Sequence, residues 1–176
     1  VYLPAWTFDV SGEVTWNCLV EENDLWQPQS GSEVVYENDL RVAASHSLSA
    51  ALTDEIDNFP LDRLVPFNPS YLADWLAETY QITVSGASLV ARSRLLAKTQ
   101  SQIQAGIAGT FKDLQLNPAH LVFESYKLVL VPLWIAHYRY EKVWRTVVVN
   151  GQQGTVRGEK PLKGVRKVLS GMLGGP

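Results

Sequence analysis

The stretch from Val143 to Gly154 constrains the fold more than any other part of the chain. Residues 143–149 gather β-branched residues and a tryptophan into the strongest strand pattern in the sequence. Asn150-Gly151-Gln152-Gln153-Gly154 then supplies residues that tolerate positive φ. A hairpin turn with a return strand at 155–157 is expected. A short turn of this kind commits the region to an antiparallel sheet.

A repeat hidden in the tryptophans extends this reading. Pro4-Ala5-Trp6 is followed ten residues after Trp6 by Trp16, and Pro132-Leu133-Trp134 ten residues after Trp134 by Trp144. The two copies are offset by 128 residues, and Glu13 with Glu141 share that offset. Each copy reads as strand, turn, strand: 2–8, Ser11-Gly12 and 13–20 in the first, 128–138 and 143–149 in the second. A helical pattern follows each copy. Leu40, Ala43, Ala44, Leu48, Ala51, Leu52 and Ile56 share one helical face over 40–59. Leu162, Val165, Val168, Leu169, Met172 and Leu173 do so over 162–173, with Lys160, Lys163, Arg166 and Lys167 mostly opposite. If the repeat holds, Trp6 and Trp134 occupy equivalent buried places, and Trp134→Ala costs about 3–5 kcal/mol.

Between the copies, residues 24–34 read as a polar surface loop, and Pro60, Pro66 and Pro69 mark another. Ser70 can cap a short helix over 71–78. Residues 79–84 alternate like a strand. Ser85 or Ser88 starts a long helix ending near Gly106 or Gly109, with Leu89, Leu96, Ile103 and Ile107 along one side. The expected fold is α+β: one domain over 1–176, an antiparallel sheet packed with helices. It would contain two related hairpin–helix halves, about 1–60 and 120–176, joined by a helical segment at 61–119.

Composition supports a globular chain with a real core: 176 residues, 46% hydrophobic and 19% charged. Net charge is −3, unevenly spread. Residues 1–126 hold six basic and sixteen acidic residues, a balance of −10, and 127–176 hold nine basic and two acidic, a balance of +7. A basic segment can meet an acidic surface, or the two regions can pack together and cancel. Cys18 is the single cysteine, so no internal disulfide and no cysteine-based zinc site fits within this chain. No apolar run approaches the ~20 residues needed to span a bilayer. The opening Val1-Tyr2-Leu3-Pro4 lacks the basic region of a signal peptide, and without an initiating Met it reads as a fragment or processed chain. A cytoplasmic location is expected, with association at a membrane surface open through the basic stretch Lys160, Lys163, Arg166 and Lys167.

Several stretches look familiar together: Val1-Tyr2-Leu3-Pro4-Ala5-Trp6-Thr7-Phe8-Asp9, Leu64-Val65-Pro66-Phe67-Asn68-Pro69-Ser70-Tyr71-Leu72-Ala73, Ala77-Glu78-Thr79-Tyr80-Gln81, Leu130-Val131-Pro132-Leu133-Trp134-Ile135-Ala136-His137-Tyr138-Arg139-Tyr140 and Val148-Val149-Asn150-Gly151-Gln152-Gln153-Gly154-Thr155-Val156-Arg157-Gly158-Glu159-Lys160-Pro161. From Val1 to about Pro161 the chain resembles a bacterial family of uncharacterised proteins. Its members often carry an N-terminal zinc ribbon and a primosomal or replication-factor-like label. The resemblance implies no activity and no catalytic residue. This chain has no ribbon, so metal binding does not carry over, and no cofactor is expected.

Catalytic motifs are absent. His46, His120 and His137 lack metal-ligand spacing. There is no G-x-S-x-G elbow, no P-loop and no dinucleotide fingerprint. The aromatic residues Tyr138, Tyr140 and Trp144, with Arg139, Lys142 and Arg145, could line a sheet face and stack on single-stranded nucleic acid. Trp134, Tyr138, Tyr140 and Trp144 share a parity, however, which predicts one common side and therefore core. The function expected is non-catalytic binding or scaffolding with a protein partner. A nucleic-acid accessory module and an enzyme with an unrecognised site are the alternatives.

Overall fold

A strand of 21 residues, β1 (Tyr2–Glu22), organises the molecule. The computed structural model describes residues 1–46 and 48–158. After β1 the chain reverses at Asn23 and Asp24, both at positive φ (51° and 64°), as a two-residue hairpin turn requires. β2 (Leu25–Ala43) then pairs with β1 from Glu22↔Leu25 to Ala5↔Ala43. The other side of β1 is shared. β4 (Val122–Tyr140) pairs with it from Ser11 to Tyr2, and β3 (Phe111–Asn117) covers Thr15 to Val20. β4 runs on past the start of β1 and pairs with β5 (Val143–Asn150). β5 in turn pairs with β6 (Val156–Gly158). The order is β2-β1-β4-β5-β6, with β3 beside β1.

Among the described residues strand makes up 50% and helix 21%, and the sheet curls into a half-barrel. This overturns the expected α+β fold of two hairpin–helix halves. The hairpin turns are Asn23-Asp24 and Glu141-Lys142. They lie 118 residues apart (141 − 23), not 128. Trp16 therefore sits mid-strand in β1 and Trp144 next to a turn. At Ser11-Gly12 β1 does not turn; it continues. Gly12 (φ +142°) instead lets the 120–121 backbone pass close by: a Cβ there would lie 2.1 Å from the His120 carbonyl oxygen. Residues 25–34, read as loop, belong to β2, because the β1 ladder satisfies their backbone groups.

Two α-helices cover the sheet among the described residues. The first, α1 (Ala50–Asp57), is capped by Ser49. The expected helix over 40–59 starts late because Leu40–Ala43 are held in the β1 ladder. The second, α2 (Val84–Gly106), begins at Thr83, whose hydroxyl accepts the Gly86 N–H at 3.2 Å, rather than at Ser85 or Ser88. Its buried side is Ala87, Ala91, Leu95, Thr99 and Ile103, and Leu89 is exposed. Of the expected stripe, Leu96, Ile103 and Ile107 do pack against the cores and only Leu89 faces out, while the small Ala87 and Ala91 let the helix lie close on β1 and β2. The expected helix at 71–78 is only a 3-10 turn, Pro69–Leu72, capped by Asn68. The expected strand at 79–84 is irregular over 79–83, and Val84 already belongs to α2. The chain there is stitched to the sheet instead: Tyr2 N–H donates to Leu76 O, Glu78 N–H to Tyr2 O, and Gln81 and Ile82 N–H to Ala44 O.

Alternation along β1 assigns a helix to each face. Leu3 and Ala5 pack with Leu52, Ile56 and Phe59 around α1, joined by Val129, Val131, Leu133 and Val148. Trp6, Phe8, Val10 and Val14 pack with Ala87, Ala91 and Leu95 of α2. Cys18 meets Ile103 and Ile107 at its far end. Arg94 of α2 bridges the two layers at the β2 edge. Its Nη1 donates to Arg41 O at 3.0 Å and to Asp57 Oδ1, in α1, at 2.8 Å.

Two polar clusters hold this arrangement. Register shifts in both neighbouring ladders occur beside Asp9. Its carboxylate accepts the Ser125 hydroxyl from β4 and the Asp39 N–H from β2. The hydrogen bond from Ser125 lowers the Asp9 pKa most, followed by that from Asp39, against the opposing effect of burial. At the other end, buried Glu55 of α1 accepts from Asn150 Nδ2 at 2.8 Å and ion-pairs with Arg157 Nε at 2.7 Å. Asn150 Oδ1 also accepts the N–H groups of Gln152 and Gln153, fixing the β5–β6 turn.

Asn150→Ala is expected to cost about 2–3 kcal/mol in denaturant unfolding, since it leaves the buried Glu55 carboxylate with Arg157 alone and frees the turn. For Asp9, a folded pKa below the unfolded value means stability that is present above about pH 4 and lost as pH falls further. Unfolding free energy measured at pH 6 and at pH 3 is therefore expected to fall more in the native sequence than in Asp9→Asn.

Candidate functional site

The candidate site follows from where α2 lies. The helix begins next to Trp6, whose indole N–H donates to Ile82 O at 2.8 Å, and it runs toward Cys18. On that face of the sheet no described helix covers the β4–β5–β6 half. Trp134 of β4 is 56% exposed. It lies opposite Val149, which in turn lies opposite Val156, so an apolar row crosses three strands. Trp75, from the loop after the 3-10 turn, stacks edge-on against Trp134 with ring centroids 5.0 Å apart. Tyr126 and Leu128 continue the face along β4 and are exposed. Tyr126 and Tyr80 set their rings edge-on to Trp6, at 6.2 and 5.6 Å.

The expectation that Trp134 would match Trp6 is thus corrected. The opposite face of β4 carries Val129, Val131 and Leu133 against α1, so residues of Trp134's parity point away from that core. Trp6 has the same parity relation to its strand but is roofed by α2 and the 80–82 segment.

Of the residues expected on one common, buried side, Trp134, Tyr138 and Tyr140 do share a face of β4, but that face is not core, and Trp144 lies on the other. Pairing of Tyr140 with Val143, Arg139 with Trp144 and Tyr138 with Arg145 sums to an odd number at every pair. Equal parity across such a hairpin means opposite faces. Tyr138 and Tyr140 therefore share a side with Arg145, while Trp144 shares the other with Arg139. The candidate cations Arg139, Lys142 and Arg145 all belong to the β4–β5 hairpin, Lys142 in its turn, but Arg139 and Arg145 lie on opposite faces rather than on one. Lys160, Lys163, Arg166 and Lys167 lie outside the described residues.

The histidines stay apart. His46 donates its backbone N–H to Gln81 Oε1, and His137 Nδ1 lies 3.1 Å from the Thr146 hydroxyl. Among the described residues no group of three or more His, Cys, Asp and Glu could hold a metal ion. A cleft of about 120 Å³ lies between β2 and α2, beside the ion pair of Lys98 with Glu37 at 2.6 Å. It is smaller than an ordinary small-molecule site. Trp75 and Tyr80, which shape the apolar face, had no sequence signal: both sit in irregular chain whose position is set by the bonds to Tyr2 and Ala44.

No family model and no solved structure matches the chain. It is similar to the uncharacterized protein YdjG of Bacillus subtilis (strain 168), with 26% identity over 191 residues, covering 99% of this chain. The chain spans 56% of that relative's length. Neither the zinc ribbon nor the primosomal label finds support in these comparisons. No helix among the described residues is long and apolar enough to cross a membrane.

Trp6→Ala is expected to cost about 3–5 kcal/mol and Trp134→Ala about 1 kcal/mol or less, the reverse of what the repeat required. Paired urea titrations check the contrast.

Proposed function

We propose that this chain is a non-catalytic, protein-binding scaffold domain of a larger protein, and that the face around Trp134 is where the partner docks. One observation carries the reading: the row of exposed Trp134, half-buried Val149 and exposed Val156, extended by exposed Trp75. A contiguous apolar patch on a folded chain marks an interaction surface. Tryptophans stacked on one another at its centre resemble the aromatic anchors that dominate binding energy at interfaces. Two side chains already fixed by mutual contact lose little entropy when a partner covers them. The buried, unpaired thiol of Cys18 suits a reducing, cytoplasmic location.

The alternatives have less support. A stacking platform for single-stranded nucleic acid needs aromatic rings on one side, and Tyr140 and Trp144 project from opposite sides of their hairpin. An enzyme needs convergent polar groups in a cavity, and the cleft beside Lys98 offers an ion pair already satisfied.

Trp134→Glu tests the proposal, since the side chain is exposed and the fold tolerates a charge there. Cross-linking of the tagged full-length protein in native lysate is expected to recover a stoichiometric partner. Trp134→Glu is expected to weaken that complex by about 30-fold, as loss of a central anchor does. A complex of unchanged affinity in a variant that melts normally refutes the docking face.

A further inference from the structure

The β4–β5 hairpin has a feature that protein docking does not explain. From Ala136 to Arg145 none of its residues is buried. No described helix and no part of β1 lies over its tip, since the hairpin extends past the start of β1 and past both helices. Its outermost side chains are Tyr140, Val143 and Trp144, the last 69% exposed, interleaved with the exposed cations Arg139 and Lys142, while Arg145, further from the tip, is half-buried and engaged. The turn itself is held by Glu141 and Lys142 at φ 47° and 66°. Such turns favour Asn-Gly or Asp-Gly, and other side chains are strained there. At the corresponding turn of the β1–β2 hairpin the chain uses Asn23-Asp24, which tolerate that backbone. Strain kept at a loop tip is a pointer to a role for the residues that bear it.

We propose that the β4–β5 hairpin tip is an interfacial anchor for an anionic lipid surface. Aromatic rings on both sides of a projecting arm do not suit a one-sided partner. They suit a medium that surrounds the arm, and the headgroup region of a bilayer is such a medium. Tryptophan and tyrosine settle at that depth, and Lys and Arg reach from it to phosphate. Positive charge adds attraction to acidic lipids. The far end of the sheet fixes the orientation. The β1–β2 tip carries Glu21, Glu22 and Asp24 around Leu25 and Trp26, and it lies at the opposite end of the β1 ladder. Anionic lipid repels that end and attracts the other.

Co-sedimentation of the full chain with phosphatidylcholine vesicles, with and without phosphatidylglycerol, tests this. Binding is expected only with phosphatidylglycerol, weakening as salt rises. R139E/K142E is expected to reduce it by about 30-fold or more. Y140S/W144S is expected to reduce it as well. Circular dichroism of these variants should match the parent, because every substituted side chain is exposed. The Trp134→Glu variant should sediment normally, which separates this site from the docking face. Binding that ignores phosphatidylglycerol, or survives R139E/K142E, overturns the proposal. So does loss of binding in K160Q/K163Q/R166Q/K167Q without loss in R139E/K142E, which moves the anchor to the C-terminal stretch. Binding of a single-stranded oligonucleotide through Arg139 and Lys142, with none to vesicles, overturns it in favour of nucleic acid.

Discussion

Everything in this fold depends on β1 being paired along both of its sides. A strand of 21 residues cannot stay flat, because strand twist accumulates along it. The register shifts beside Asp9 occur in both neighbouring ladders at the same level, and one carboxylate ties the two shifted strands together. Past this point the strand exchanges one neighbour for another, from β4 to β3. The curl of the half-barrel and the separation of its two cores both follow. One layer gathers around α1 and the other around α2, with Arg94 linking them over the open edge of β2.

That division also explains the surface. A helix covers only what lies under its length. α2 starts next to Trp6 and runs away from the β4–β5 half, and α1 occupies the opposite side. The aromatic face around Trp134 is what remains. The loop carrying Trp75 and Tyr80 borders it without closing it, and that loop is fixed by backbone bonds to Tyr2 and Ala44.

The strands of the second half were legible because they carry their own signals. The run of valines in β5, the Asn150–Gly154 turn and the return strand all stand close to where the pattern placed them. The first half was misread because its signals conflict. Leu40, Ala43 and Ala44 satisfy helical spacing, yet the partners that decide their state are Phe8, Ala5 and Pro4, between 32 and 40 residues back. Gly12 looked like a turn because a glycine that permits close backbone approach and one that permits reversal are identical in a sequence. The tryptophan repeat counted spacings but not pairings. Whether Trp134 is core or surface depends on a helix elsewhere in the chain. The basic and aromatic residues of the β4–β5 hairpin were found, but their sidedness was not, since it depends on the length of the turn.

The pairing of β1 also has a consequence in time. Its β2 neighbour follows immediately in sequence, so the first hairpin can form as soon as residue 43 is available. Its other side waits for β3 and β4, from residue 111 onward. On a ribosome, Leu3, Ala5, Trp6 and Phe8 spend that interval as part of an unpaired apolar edge. Contacts of long sequence separation form slowly, and open edges invite association with other chains. The central strand of the finished sheet is thus the most vulnerable strand of the growing one. The negative charge concentrated in residues 1–126 would keep such half-made sheets apart until β4 arrives.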